Sequence, residues 1–250
     1  MPAVNFLLLH PRELAADGTV TLRDRRATHL RQVLGVEVGQ ALRAGIVDGP
    51  RGSATVLAID GEAVTVQAVT TAEAPPQKDV LLLAVPRPKV LLRLYAAAAA
   101  LGFGQLVLFR SWRVEKSHLQ SKAMDAAVQQ EHLLAGLEQA GRTHLPRITF
   151  APLFKPMVED LLPTLGLPPH RFVAHPAAAV RTHELAPLGA GPYALAIGPD
   201  GGFLPYEVDR LVDQGFLPIS CGPEPQRTEV AVAMLVGQLA LLRERATVPR

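Results

Sequence analysis

One cysteine, Cys221, stands in 250 residues, so no internal disulfide can form, and the chain reads as one made for a reducing compartment. As a lone thiol it reads as a small buried hydrophobe rather than a nucleophile. A membrane-spanning run is lacking too. The most hydrophobic stretch, Val90 to Phe109, is interrupted by Arg93, Gly102, Gly104 and Gln105, which favours a buried helix followed by a strand. The opening MPAVNFLLLHPRE carries an apolar run but no basic segment ahead of it and no small-residue cleavage site behind it, so it reads as a strand. Acidic and metal-ligating clusters are missing as well. The expectation is a cytoplasmic protein with no membrane span and no metal.

A large net charge is also lacking. The formal value is +2 with a sequence pI near 8.9, which alone barely favours a polyanionic partner. The distribution is more informative. Arg87, Lys89, Arg93, Arg110, Arg113, Lys116 and Lys122 face only Glu115 between positions 87 and 122, and Arg23, Arg25, Arg26 and Arg31 cluster near the start. Two such patches suit a phosphate backbone, and they equally suit a solvated surface rich in arginine.

Apolar residues make up 48% of the chain, enough for one large core or two modest ones. The first seventy residues read as short alternating strands, VNFLLL, TVTL, ATVLAID and EAVTVQAV, set apart by Asp17-Gly18, Asp48-Gly49-Pro50 and Asp60-Gly61. That spacing predicts a small β-barrel, with one helix over Ala27 to Leu34 behind a Thr28 cap. The Pro75-Pro76 pair marks a linker over 73–79. The expected domains are thus 1–72, a small barrel, and 80–250.

Beyond the linker, strands alternate with helices. Strands are expected at Val80–Val85, Leu106–Phe109, Ile148–Phe150, Arg171–Ala174, Tyr193–Ile197 and Leu217–Ser220, and helices at Lys89–Leu101, Met124–Ala140, Met157–Leu165, Tyr206–Gln214 and Glu229–Arg245. This pattern predicts an α/β fold with a parallel sheet covered by helices. Ligands of such sheets bind in loops beyond the carboxyl ends of strands. Three loops qualify: Ala174-His175-Pro176, Gly198 to Phe203, and Cys221 to Thr228. Their glycines let backbone come close to a ligand.

The string IGPDGGFLPYEVDRL, followed after a strand by a GP-initiated loop ending in RTE-x-A at Arg227 to Ala231, closely resembles the RsmE family of SPOUT-class methyltransferases. HLRQVL at His29 to Leu34, ALG at Ala100 to Gly102, EQAGRTHLP at Glu138 to Pro146 and AHP at Ala174 to Pro176 fall in the same order, so the resemblance spans nearly the whole chain. It implies a PUA-like N-terminal barrel, a SPOUT-type sheet closed by a C-terminal trefoil knot, and methylation of uridine N3 in 16S ribosomal RNA with S-adenosyl-L-methionine. Ribosomal RNA or the small ribosomal subunit would be the partner, and the enzyme would be a homodimer, for which the apolar closing helix could supply a face.

Carried onto this sequence, the resemblance puts the cofactor against His175 and Pro176, against Ile197, Gly198, Pro199, Asp200, Gly201 and Gly202, and against Ser220, Cys221, Gly222, Gln226, Arg227, Thr228 and Ala231. Arg227 is the candidate catalytic donor to the uracil oxygens and Glu229 the candidate to orient it or assist proton removal. RNA contacts are expected from Arg23, Arg25, Arg26 and Arg31, and from Arg87, Lys89, Arg110, Arg113 and Lys116. Arg142 is open between a structural ion pair and an RNA contact.

Some positions depart from the family pattern. Asp200 replaces a glutamate, Gly35 an arginine, and the loop CGPEPQRTEVA carries Glu224 where an arginine is usual and Pro225-Gln226 where an apolar pair is usual. Two further readings follow from these changes: the same fold acting on another RNA nucleotide, or a non-catalytic RNA-binding factor in ribosome assembly.

Overall fold

The computed structural model describes residues 6–245. The first two residues of the VNFLLL segment and the outermost residues of both expected domains lie outside the described residues.

Five strands, β1 (Phe6–Leu9), β2 (Thr19–Leu22), β3 (Ala41–Ile46), β4 (Arg51–Asp60) and β5 (Ala63–Ala72), form a sheet in the order β1-β3-β4-β5-β2. The pairs are antiparallel except β1 with β3. This half-barrel has its own core of Leu7, Leu9, Val20, Leu22, Leu42, Val56, Val64 and Val66. The helix after β2 runs as α1 (Arg25–Thr28) continued by one π turn, His29–Val33. It is capped not by Thr28 but by Asp24, whose side chain accepts from the Arg26 N–H at 2.9 Å.

All four residues of β1 are buried because the strand has a core on either side. Leu7 and Leu9 belong to the half-barrel, whereas Phe6 and Leu8 join the larger core behind it, which is the period-2 alternation of a strand shared by two layers. The loop 141–146 fastens the same seam. Asp48 N–H donates to the Thr143 carbonyl (2.9 Å), Thr143 Oγ1 to the Gly49 carbonyl (2.7 Å), and Leu145 N–H to Asp48 Oδ1 (2.9 Å). Arg142 is neither ion-paired nor directed outward: its Nε donates to the Ala100 carbonyl at 3.0 Å. The EQAGRTHLP motif therefore holds the two layers together.

Arg26 is locked within the half-barrel by Glu13 and Asp24, each at 2.7 Å, and its side chain is 10% exposed. The Arg26 hydrogen bond holds the Glu13 carboxyl below the usual carboxylate range, against the opposing effect of partial burial. A depressed folded-state value means stability that is present above the ordinary glutamate pKa of about 4.3 and lost as pH falls through the lowered value. Glu13→Gln should flatten the acid limb of the stability curve by lowering its neutral part, so that the two proteins converge in acid. Urea melts between about pH 3 and pH 6 measure this; parallel curves for the two proteins would remove the assignment.

The second sheet has seven strands, all parallel: β6 (Asp79–Ala84), β7 (Phe103–Phe109), β8 (Arg147–Ala151), β9 (His170–Ala174), β10 (Val180–Arg181), β11 (Tyr193–Ile197) and β12 (Leu217–Ser220), in the order β10-β12-β9-β11-β6-β7-β8. β6 and β11 are buried at every residue, as central strands covered on both faces should be. Around them stand α2 (Pro88–Leu101), α3 (Lys116–Leu119), α4 (Ala126–Ala140), α5 (Phe154–Pro156), α6 (Pro205–Asp213) and α7 (Thr228–Arg245). The helix expected over Met157–Leu165 is instead α5 followed by a π turn and a 3₁₀ turn ending at Thr164, broken where Pro156 and Pro163 withhold N–H donors. The sheet and its helices are those of a SPOUT-type α/β fold beside a half-barrel. No helix among the described residues is long and apolar enough to cross a membrane.

α7 buries Val232, Leu235, Val236, Leu239 and Leu242 and leaves Val230, Met234 and Leu241 exposed. Near its end, Arg243 grips Asp79 with two nitrogens, one at 2.8 Å, and lies 4.4 Å from the centre of the Tyr193 ring. Asp79 also accepts from the Tyr193 N–H at 3.1 Å, so the last turn of α7 is tied to the starts of β6 and β11.

Candidate cofactor and RNA site

Because β12, β9 and β11 are neighbours in the sheet, their carboxyl ends lie side by side, and the three glycine- and proline-rich loops that follow them converge. They enclose a cavity of about 340 Å³. His175, Pro176, Ile197, Gly198, Pro199, Asp200, Gly201, Gly202, Ser220, Cys221, Gln226, Thr228 and Ala231 line it, joined by Arg113, Phe203, Glu224, Pro225 and Leu235. Two expected positions fall elsewhere. Gly222 lines a second cavity, of about 420 Å³, on the other side of the β12 loop. Arg227 is exposed just before α7, where its carbonyl accepts from the Ala231 N–H at 2.8 Å.

Each loop is fixed by backbone and buried side chains. His175 N–H donates to the Ile219 carbonyl at 2.9 Å, and its own carbonyl accepts from Ala178, so its main chain forms a turn at the cavity wall. In the second loop the Gly202 N–H donates to the Pro199 carbonyl at 2.7 Å, and Gly202 has φ +72°, a conformation glycine adopts without a Cβ penalty. Phe203 then turns inward to stack on Phe109 with ring centroids 6.2 Å apart. In the third loop Ser220 Oγ donates to the Gly222 carbonyl at 2.6 Å, and Gln238 on α7 holds the Cys221 carbonyl at 3.0 Å. Thr228, buried at the start of α7, donates through Oγ1 to Asp200 Oδ1 at 3.1 Å and so couples the third loop to the second.

The loops after β6 and β7 border the same end of the sheet. Arg87, expected to meet RNA, stands 3.5 Å from Asp200 Oδ2. Arg113, also expected to meet RNA, lines the cavity and donates to the Gly201 carbonyl. Arg110 Nε and Ser111 Oγ are buried without a hydrogen-bond partner. Lys89 and Lys116 are exposed. On the half-barrel Arg23 is exposed, Arg31 is half-buried, and Arg25 forms a two-pronged pair with Glu138 on α4 at 2.9 and 3.0 Å. Arg26 is committed internally, as described above. Glu229 meets Arg93 of α2 at 3.2 Å rather than Arg227. Among the described residues no group of three or more His, Cys, Asp or Glu could hold a metal ion.

Glu207 was not singled out from the sequence. It is 2% exposed and sits in the first turn of α6, where Oε2 accepts from the Leu204 N–H and Oε1 from the Trp112 N–H, both at 2.9 Å. Its signal was available: a glutamate at the third helical position behind a proline start. One carboxylate thus anchors both the helix after the glycine loop and the loop after β7. Glu207→Gln keeps the shape but turns a donor toward one of the two N–H groups, and should cost about 1–2 kcal/mol in chemical denaturation. An unchanged midpoint would mean that the loops hold without it.

Solved structures share this arrangement. A ribosomal RNA small subunit methyltransferase E from Neisseria gonorrhoeae, bound to S-adenosyl methionine, superposes with a TM-score of 0.73 at 19% identity over 95% of this chain and 96% of that one. A methyltransferase from Legionella pneumophila, in complex with the same cofactor, gives 0.70 at 22% over 96% and 97%. At these identities the likeness establishes the fold. Among sequence relatives, ribosomal RNA small subunit methyltransferase E of Treponema pallidum is 28% identical over 91% of this chain and 87% of its own length. The Mycobacterium tuberculosis protein of the same name is 36% identical over a 73-residue stretch, 29% of this chain and 28% of that protein. Residues 73–240, more than half of the chain, match the model of the RNA methyltransferase domain, and the protein belongs to that family.

Proposed function

We propose that the protein is an S-adenosylmethionine-dependent methyltransferase of ribosomal RNA that modifies N3 of a uridine in the 16S molecule. The observation that carries this reading is the convergence of three strand-end loops on one cavity, at the positions the family resemblance assigns to the cofactor. Its size lies in the range of small-molecule sites, and Ile197, Ala231 and Leu235 offer apolar walls beside polar main chain. Gly201 makes room for Arg113 at the cavity wall: a Cβ there would stand 3.0 Å from its side chain. The bound cofactor supplies a methyl group already made electrophilic by its sulfonium.

The work left to the chain is alignment and charge stabilisation. Loss of the N3 proton puts negative charge on O2 and O4 of uracil, and Arg227 is the donor proposed to meet it. Its situation favours that role over a structural one. It is exposed, and a cation at the N-terminal end of an eighteen-residue helix opposes the helix dipole, so stability gains nothing from it. Glu229 and Arg93, paired between α7 and α2, are proposed to hold that helix end in place, and Glu229 assists proton removal only if this pair opens. Glu224, at the cavity wall in place of a basic residue, bears on which nucleotide is admitted.

Within this reading residues 1–72 serve as the RNA-binding barrel, 73–79 as the linker and 80–250 as the catalytic domain, with the trefoil knot of the SPOUT class at the three loops. Lys89, Arg110, Lys116, Arg23 and Arg31 supply phosphate contacts, which give affinity and register rather than sequence choice. The protein works in the cytoplasm as a homodimer, for which the exposed Val230, Met234 and Leu241 provide a face; a monomer by light scattering at micromolar concentration would remove that part. The decisive test is methyl transfer from labelled cofactor to small subunits from a deletion strain, followed by nucleoside mass spectrometry. Label in N3-methyluridine is expected. Label in another nucleoside would move the target, and cofactor binding without transfer would favour the assembly factor.

A further inference from the structure

Trp112 is the chain's one tryptophan and, at 78%, the most exposed large hydrophobic side chain among the described residues. Tryptophan is a residue that folding normally buries. Here the backbone that carries it is held firmly while the side chain is left outside. Val114 N–H donates to the Ser111 carbonyl at 3.1 Å, closing a turn with Trp112 and Arg113 at its centre. The Trp112 N–H is bound by the buried Glu207, and Arg113 donates to the Gly201 carbonyl at the cofactor cavity. The backbone that carries this exposed indole is therefore fixed one residue away from the cavity wall. Among the described residues no aromatic ring or cation covers it, whereas the nearby Tyr206 is already faced by Arg210 at 5.6 Å.

Its surroundings indicate the ligand. Arg110, Arg113 and Lys116 lie within four residues on either side, Arg110 Nε and Ser111 Oγ are buried and unpartnered, and Glu115 is the one acid in the segment. A flat uncovered ring among cations, at the end of the sheet where the cavity opens, suits a ligand with π-faces and negative charge. We propose that Trp112 is a stacking platform for an unpaired base of the RNA substrate, next to the nucleotide that enters the cavity. This rests on the RNA methyltransferase reading above. It adds a specificity-determining residue that selects unpaired RNA, because a base within a helix has no free face to offer.

The single tryptophan makes the contact directly readable. Titration with a short unstructured RNA oligonucleotide, at saturating S-adenosylhomocysteine, should quench the fluorescence, and base-free polyphosphate should bind without quenching. Trp112→Ala should weaken binding of the oligonucleotide about tenfold and raise KM for RNA, with cofactor affinity unchanged, and Trp112→Phe should restore most of the loss. RNA binding without quenching, or an alanine variant with wild-type KM and affinity, would overturn the platform while leaving the methyltransferase reading intact. So would dissociation of an oligomer by Trp112→Ala, which would make the ring a contact between copies. Quenching and tenfold weaker binding without any methyl transfer would retain the platform and reject the reading it rests on, and a wild-type chain that binds no RNA would reject both.

Discussion

Gly136→Ala is expected to destabilise the protein by about 2–3 kcal/mol, although helix propensity alone favours alanine by about 1 kcal/mol. The residue is buried in α4, which crosses α2 so closely that a Cβ at 136 would stand 2.1 Å from the Ala96 carbonyl oxygen and 2.8 Å from its Cα. Those are main-chain atoms of a neighbouring helix, so relief requires the two helices to separate rather than one side chain to rotate. Separation would also strain Tyr95, buried on α2, whose hydroxyl donates to the Ala123 carbonyl (3.0 Å) and accepts from Gln129 of α4 (3.2 Å). Denaturant melts of the two proteins give the sign. A neutral or stabilised variant would mean that the helices pass farther apart than described.

The same glycine shows what the sequence could and could not disclose. The helix over Met124–Ala140 was legible from its pattern, and its observed start two residues later is a difference at the fraying end. The central glycine stands out in no such pattern, because its reason lies on another helix. β3 was missed for a related cause. ALRAGI contains Gly45, which lowers strand propensity, yet a Cβ there would meet Thr143 at 2.5 Å and Phe6 at 2.7 Å, so the glycine is required by the seam between the two layers. β10, with two residues, is too short to leave a pattern. By contrast β11 and β12 were legible to the residue, because continuous apolar runs bounded by glycine and proline are set locally.

At the site, the loops were legible and the partnerships were not. The three loops followed from strand ends and glycine-rich strings, and the wall residues within them from the family resemblance. Which cation meets which anion depends on elements far apart in the chain: Glu229 meets Arg93 and not Arg227, Arg87 meets Asp200, and Arg26 is held by Glu13 and Asp24 inside the half-barrel. A list of basic residues carries no information about which charges are already neutralised. Of the arginines expected to face RNA, those with internal partners are the poorer candidates, since a phosphate would have to displace a bound carboxylate.

Ala231→Phe is expected to weaken S-adenosylmethionine binding by at least about a hundredfold, on the order of 3 kcal/mol, and to abolish methyl transfer at ordinary cofactor concentrations. Ala231 lies in the first turn of α7 with its side chain at the cavity wall, so a phenyl ring there enters a space of about 340 Å³ instead of the packed core. Its main-chain bond to the Arg227 carbonyl does not involve the side chain and should persist. The thermal midpoint should therefore stay within a few degrees of the parent, which separates lost binding from lost folding. The second cavity provides the counter-experiment. It lies across the β12 loop, takes in Gly222 and is lined by His183, so His183→Trp fills it without touching the first. Calorimetric titration should show cofactor affinity intact in His183→Trp and lost in Ala231→Phe. The reverse pattern would move the cofactor to the far side of the loop and make Gly222, rather than Gly198 to Gly202, the glycine that meets it.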